Sequence, residues 1–123
     1  MNAAAYAIVF ADTANGGNKL HWMIWDISPS QLALAEGLPA GYNVPNNAPA
    51  KQKGFTTGAA TLSFFGPCPG GSEHPYAFRL YAQNVATIPG VTSSSTVTAI
   101  EAAIKANSNA TPSILRARSS AAQ

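Results

Sequence analysis

Apolar residues run almost without a break over residues 6–11 (YAIVFA), a pattern that suits a central strand covered on both faces. Residues 12–18 have turn chemistry, with Gly16 and Gly17 adjacent. The next segment, residues 20–27 (LHWMIWDI), places Leu20, Trp22, Ile24 and Asp26 on one side and His21, Met23, Trp25 and Ile27 on the other. Both sides are bulky, so this strand too is expected to be buried on both faces. Ser28-Pro29-Ser30-Gln31 has capping-box spacing with proline at the first helical position, which predicts a short helical turn toward Glu36, stopped by Gly37. Residues 37–60 show neither a period of 2 nor one of 3.6 and read as a long excursion, a length uncommon for a loop without a task.

A further strand is predicted over residues 61–65, running into the Gly/Pro-rich turn 66–71. Residues 76–85 alternate, with Tyr76, Phe78, Leu80 and Ala82 forming a decidedly apolar face. Val97, Ile100 and Ile104 form one helical stripe, so a helix is expected over residues 96–106, capped by Ser94 or Ser95, with Glu101 and Lys105 paired on its other side. Residues 107–112 end it. Residues 113–118 return as an edge strand with Arg116 and Arg118 toward solvent. Strands first and one late helix favour a mainly β domain over an alternating parallel α/β sheet.

Composition narrows the function classes. A chain of 123 residues, 46% hydrophobic and 10% charged, fits one folded domain. Its seven cations are scattered, so the net charge of +2 forms no basic stripe for nucleic acid. The longest apolar run, residues 3–11, is too short to span a membrane as a helix and lacks the marks of a secretory leader. Low charge with abundant Ala, Ser, Thr and Asn leans toward an exported protein whose leader lies outside this chain. Cys68 is the only cysteine, which excludes an internal disulfide and a four-thiolate metal site. With His21, His74 and Asp12 it matches no standard zinc spacing, so neither a metal nor another cofactor is expected. Cys68 itself reads as a small, inert, buried residue, and Glu73 and Arg79 as surface charges.

The two histidines, His21 and His74, both adjoin the apolar strands. Together with Asp12 they could line one pocket for a small phosphate or carboxylate, since imidazole supplies donors to anionic oxygen. Separation along the chain leaves open the alternative of two independently satisfied core histidines.

Three blocks, HWMIWDI at 21–27, EGLP at 36–39 and GPCPGGSEHPYAFRLYA at 66–82, occur in the order seen in the phosphatidylethanolamine-binding protein family. The chain resembles that family, and within it the bacterial YbhB/YbcL branch, often labelled Raf kinase inhibitor-like. The resemblance implies a β-sandwich-like fold with a large central antiparallel sheet, peripheral helices and a small anion-accepting pocket. By matching positions the pocket residues would be Asp12, His21, Gly66, Pro67, His74 and Tyr76, walled by Trp22, Trp25 and Phe65. Asp-Thr-Ala-Asn at residues 12–15 departs from the family's Asp-Pro-Asp-x-Pro motif, which implies a looser rim. Gly70 replaces a proline, which frees the pocket loop. The family's N-terminal stretch, with its Ser-Pro motif, has no counterpart here, so the chain reads as N-terminally truncated and is expected to cover its exposed edge by forming a homodimer or another self-association.

The leading expectation is a non-catalytic module that binds a small anionic or phosphorylated ligand such as a phospholipid headgroup. Two alternatives stay open: an enzyme using His21 and His74 as an acid–base pair, and an inhibitor or scaffold that binds a protein partner through the excursion at 37–60.

Overall fold

The computed structural model describes residues 3–31, 38–56, 59–64, 72–109 and 111–119. The protein is mainly β. Its strands are β1 (Ala5–Asp12), β2 (Lys19–Ile27), β3 (Lys51–Thr56), β4 (Ala59–Thr61), β5 (His74–Gln83) and β6 (Ser113–Ser119), with one helix, α1 (Val97–Ala106), before the last strand. All six pair antiparallel in one sheet ordered β4-β3-β2-β1-β5-β6. The two most apolar strands therefore lie at its centre. The described part of the predicted Ser28 turn closes with Gln31 N–H donating to the Ser28 carbonyl at 2.9 Å; its continuation over 32–37 lies outside the described residues.

The sheet buries a separate cluster on each face. One joins Val9, Met23, Trp25 and Tyr81 to Ile100 and Ile104 of α1; the other joins Phe10, Trp22, Ile24, Ile27 and Tyr76. Thr96, rather than Ser94 or Ser95, caps the helix, its hydroxyl accepting from Ala99 N–H at 3.1 Å. Ser95 and Thr92 instead bond to each other's turn, with Thr92 N–H donating to Ser95 Oγ at 2.9 Å. Glu101 pairs with Lys105 at 3.6 Å as the spacing predicts, yet it is buried, because it also accepts from Asn18 and lies 3.8 Å from Arg79. Arg79 is thus a strut between β5 and α1, not the surface charge expected of it.

The excursion at 37–60 is the largest correction. Most of its second half is β3 and the start of β4, and Val44 and Ala50 ahead of β3 are buried. Lysines at alternate positions concealed the strand: Lys51 reaches Asp26 at 3.3 Å, and Lys53 is buried with its ammonium bound to main-chain carbonyls. Gly54, next to Lys53, is required by space, since a Cβ there would lie 2.9 Å from the His21 carbonyl oxygen and still closer to that of Ser63. The strand predicted over 61–65 is shifted earlier, to Ala59–Thr61, leaving Leu62 and Phe64 exposed beyond its end.

Strict alternation along β2 also fails, twice. Phe10 pairs with Trp22 and Ala11 with Leu20, so His21 is an extra residue on β2; Ile8 pairs with Ile24 and Tyr6 with Ile27, so a second extra residue falls at Trp25–Asp26, where Asp26 has φ 59°. Such bulges re-aim side chains. The first brings His21 to the face of its neighbour Trp22, and the second returns Ile27 to that face. Asp26 is held by hydrogen bonds from Gln83 Nε2 and Ile88 N–H, both 3.0 Å, and by Lys51.

Candidate functional site

The face of the sheet turned away from α1 collects four of the six expected site residues. Asp12 ends β1 and pairs across the ladder with Tyr76, two residues along β5 from His74. That register sets the Asp12 carboxylate against the His74 ring, with Oδ2 2.7 Å from Nδ1. The other oxygen, Oδ1, accepts from Ala14 N–H at 2.8 Å, in a 3-10 turn (Ala14–Gly16) whose Asn15 sits at φ 58°. The Asn/Gly-rich turn is thereby tied to the carboxylate it follows. Burial by itself would raise the Asp12 carboxyl, but the bonds from His74 and Ala14, with the two imidazoles His74 and His21 nearby, outweigh it and hold the group below the usual carboxylate value.

His21 is almost completely buried behind this pair. Its ring meets Tyr76 edge-on at a centroid distance of 5.6 Å and Phe10 edge-on at 5.5 Å. Phe10 is the hub of the floor: it stacks on Tyr76 at 5.5 Å, on Phe78 at 4.2 Å and on Phe64 at 5.6 Å, while Trp22 meets Phe64 edge-on at 5.3 Å. Trp22 hydrogen-bonds through Nε1 to Gln52 at 3.0 Å.

Two parts of the expected wall change. Trp25 belongs to the α1-side cluster, because the bulge at His21 puts that histidine out of phase with Trp25. Gly66, Pro67, Phe65 and Cys68 lie outside the described residues. Phe10 was missed as a site residue; within one strand it is simply a core residue, and only the pairing of β1 with both neighbours makes it the platform under His21 and Tyr76.

The arrangement can bind and orient. Asp12 occupies one ring nitrogen of His74 and fixes the ring, leaving Nε2 for a ligand. His74 is partly exposed whereas Asp12 and Tyr76 are buried, so the site opens through His74 onto an apolar, poorly hydrated floor where each polar contact is strengthened. Among the described residues no group of three His, Cys, Asp or Glu side chains could hold a metal ion.

The sequence model of the family described as phosphatidylethanolamine-binding protein matches residues 1–115. A UPF0098 protein of Methanothermobacter thermautotrophicus is 37% identical over 62 residues, 50% of this chain and 38% of that protein. A putative lipoprotein, LppC, of Mycobacterium tuberculosis is 37% identical over 89 residues, 68% of this chain and 39% of that protein. The chain therefore spans about four-tenths of the length of these curated relatives. The crystal structure of E. coli YbcL, titled a new member of the mammalian PEBP family, superposes with a TM-score of 0.59 at 21% identity, covering 93% of this chain and 70% of that one. At that identity the likeness is one of fold.

Proposed function

Because the chain belongs to the phosphatidylethanolamine-binding protein family, we propose that it is a non-catalytic binding module for a small anionic or phosphorylated ligand of the phospholipid-headgroup type, held at Asp12, His21, Gly66, Pro67, His74 and Tyr76. The observation that carries this reading is the 2.7 Å contact of Asp12 with His74 on the same face as the His21–Tyr76 pair. A doubly protonated His74 ring donates one N–H to Asp12 and the other to an anionic oxygen, a charge-assisted bond in a site with apolar walls. Isothermal titration with phosphate and phosphoethanolamine is expected to show weak binding without turnover that His74→Ala removes; undiminished binding in that variant refutes the site.

Self-association is the second reading, favoured by β6. It ends the sheet, no described strand pairs with its outer edge, and it carries the exposed Ile114 and Leu115 next to exposed Leu80 of β5. A two-fold antiparallel pairing centred on Leu115 would set leucine against leucine and Arg116 against Ile114, avoiding an Arg–Arg contact. Light scattering at micromolar concentration is expected to show a dimer that Leu115→Pro dissociates by removing a ladder donor; a monomeric parent protein rules the pairing out. Among the described residues no helix is long and apolar enough to cross a membrane. That the mycobacterial relative is described as a lipoprotein supports export as part of the proposal, which cell fractionation tests.

A further inference from the structure

On the opposite, helix-covered face, Lys53 is an anomaly. It pairs with Met23 across β3 and β2, is only 5% exposed, and donates from Nζ to the main-chain carbonyls of Ser93 at 2.8 Å and Ser95 at 2.5 Å. Among the described residues no carboxylate pairs with it: the acidic partners are Asp26 with Lys51, Asp12 with His74, Glu101 with Arg79 and Lys105, and Glu73 with Arg118. Carbonyl dipoles offset part of the cost of burying an ammonium, but a full counter-charge is what normally makes such burial favourable. An ammonium also has three donors, and two are committed here.

Lys53 lines a cavity of about 440 Å³, within the range of small-molecule sites. Leu20, Phe55 and Val97 supply an apolar side. A site with one buried ammonium and an aliphatic and aromatic wall selects a guest with the matching halves.

We infer that this cavity is a second ligand site, separate from the Asp12–His74 site and on the other face of the sheet, that takes a small amphiphilic anion: a carboxylate or phosphate head against Lys53, and a short alkyl chain against Leu20, Phe55 and Val97. The head requirement distinguishes it from a plain apolar hole, and the wall distinguishes it from a site for inorganic phosphate.

Titration of the intact chain with hexanoate and with hexyl phosphate, followed by amide chemical shifts, tests this. Saturable binding is expected with shifts at Val97 and Thr98, at least ten-fold tighter than for hexan-1-ol or inorganic phosphate, and the tighter of the two anions identifies the head. Lys53→Met is expected to weaken it ten-fold or more, and His74→Ala to leave it unchanged. Since Lys53→Met also releases the Ser93–Ser95 turn, Val97→Phe, which fills the cavity with the lysine in place, must weaken binding as well. The inference is overturned by no saturable binding of either anion, by hexan-1-ol binding as tightly as hexanoate, by binding that survives both cavity variants, or by loss of binding in His74→Ala, which would put the anion in the other site.

Discussion

At His74 a single carboxylate decides which ring nitrogen is left for a ligand, and the same contact makes the residue a stability element. Asp12 has its carboxyl held below the ordinary value in the folded protein. A depressed folded value means that the ionised carboxylate favours the native state; this contribution is present above the unfolded-state value of about 3.9 and is lost as pH falls through the lower folded value. The wild type is therefore expected to exceed Asp12→Asn in urea midpoint at neutral pH, with the difference shrinking steadily on acidification below about pH 4. A difference that stays constant across that window contradicts the assignment. Residue identity alone made Asp12, His21, His74 and Tyr76 candidates through the matching motifs, but the partner of each came from the register of β1 against β5.

Among the elements, β3 shows how chemistry can hide a strand. Its sequence, KQKGFT, has lysines where a half-buried strand usually shows apolar residues, and a glycine where it usually shows a side chain. Each departure has a local cause: Lys51 answers Asp26, Lys53 answers two carbonyls, and Gly54 lets two backbones approach. Gly54→Ala is expected to cost about 1–3 kcal/mol of stability, because the atoms its Cβ would meet are main-chain oxygens that cannot swing aside. Chemical denaturation measures it, and an unchanged midpoint means that the approach seen at His21 and Ser63 is not held in solution. The two bulges of β2 belong to the same scale. Strict alternation would have sent His21 to the α1 side, and one inserted residue instead delivers it to Tyr76 and Phe10.

For the whole molecule, the sheet divides the work between its faces. The α1 side carries the larger aliphatic cluster, and the other side carries the aromatic floor of the candidate site. Ile104, completely buried between α1 and the sheet, serves the first. Ile104→Ala is expected to cost about 2–5 kcal/mol through lost burial and a residual cavity, yet to leave phosphate or phosphoethanolamine affinity unchanged at temperatures where the variant stays folded. Calorimetric unfolding alongside ligand titration checks both halves, and a parallel loss of affinity would show that the faces are coupled. The sequence by itself determined the central strands, the late helix, the exposed last strand and the motif residues, because period, capping chemistry and motif spacing are properties of neighbouring residues. Only the tertiary structure decided that Asp12 holds His74, that His21 lies on the face of Trp22 and not of Trp25, and that Lys53 is buried. Those facts depend on cross-strand register and on bulges, which are settled by how distant segments pack and leave no mark in the local pattern.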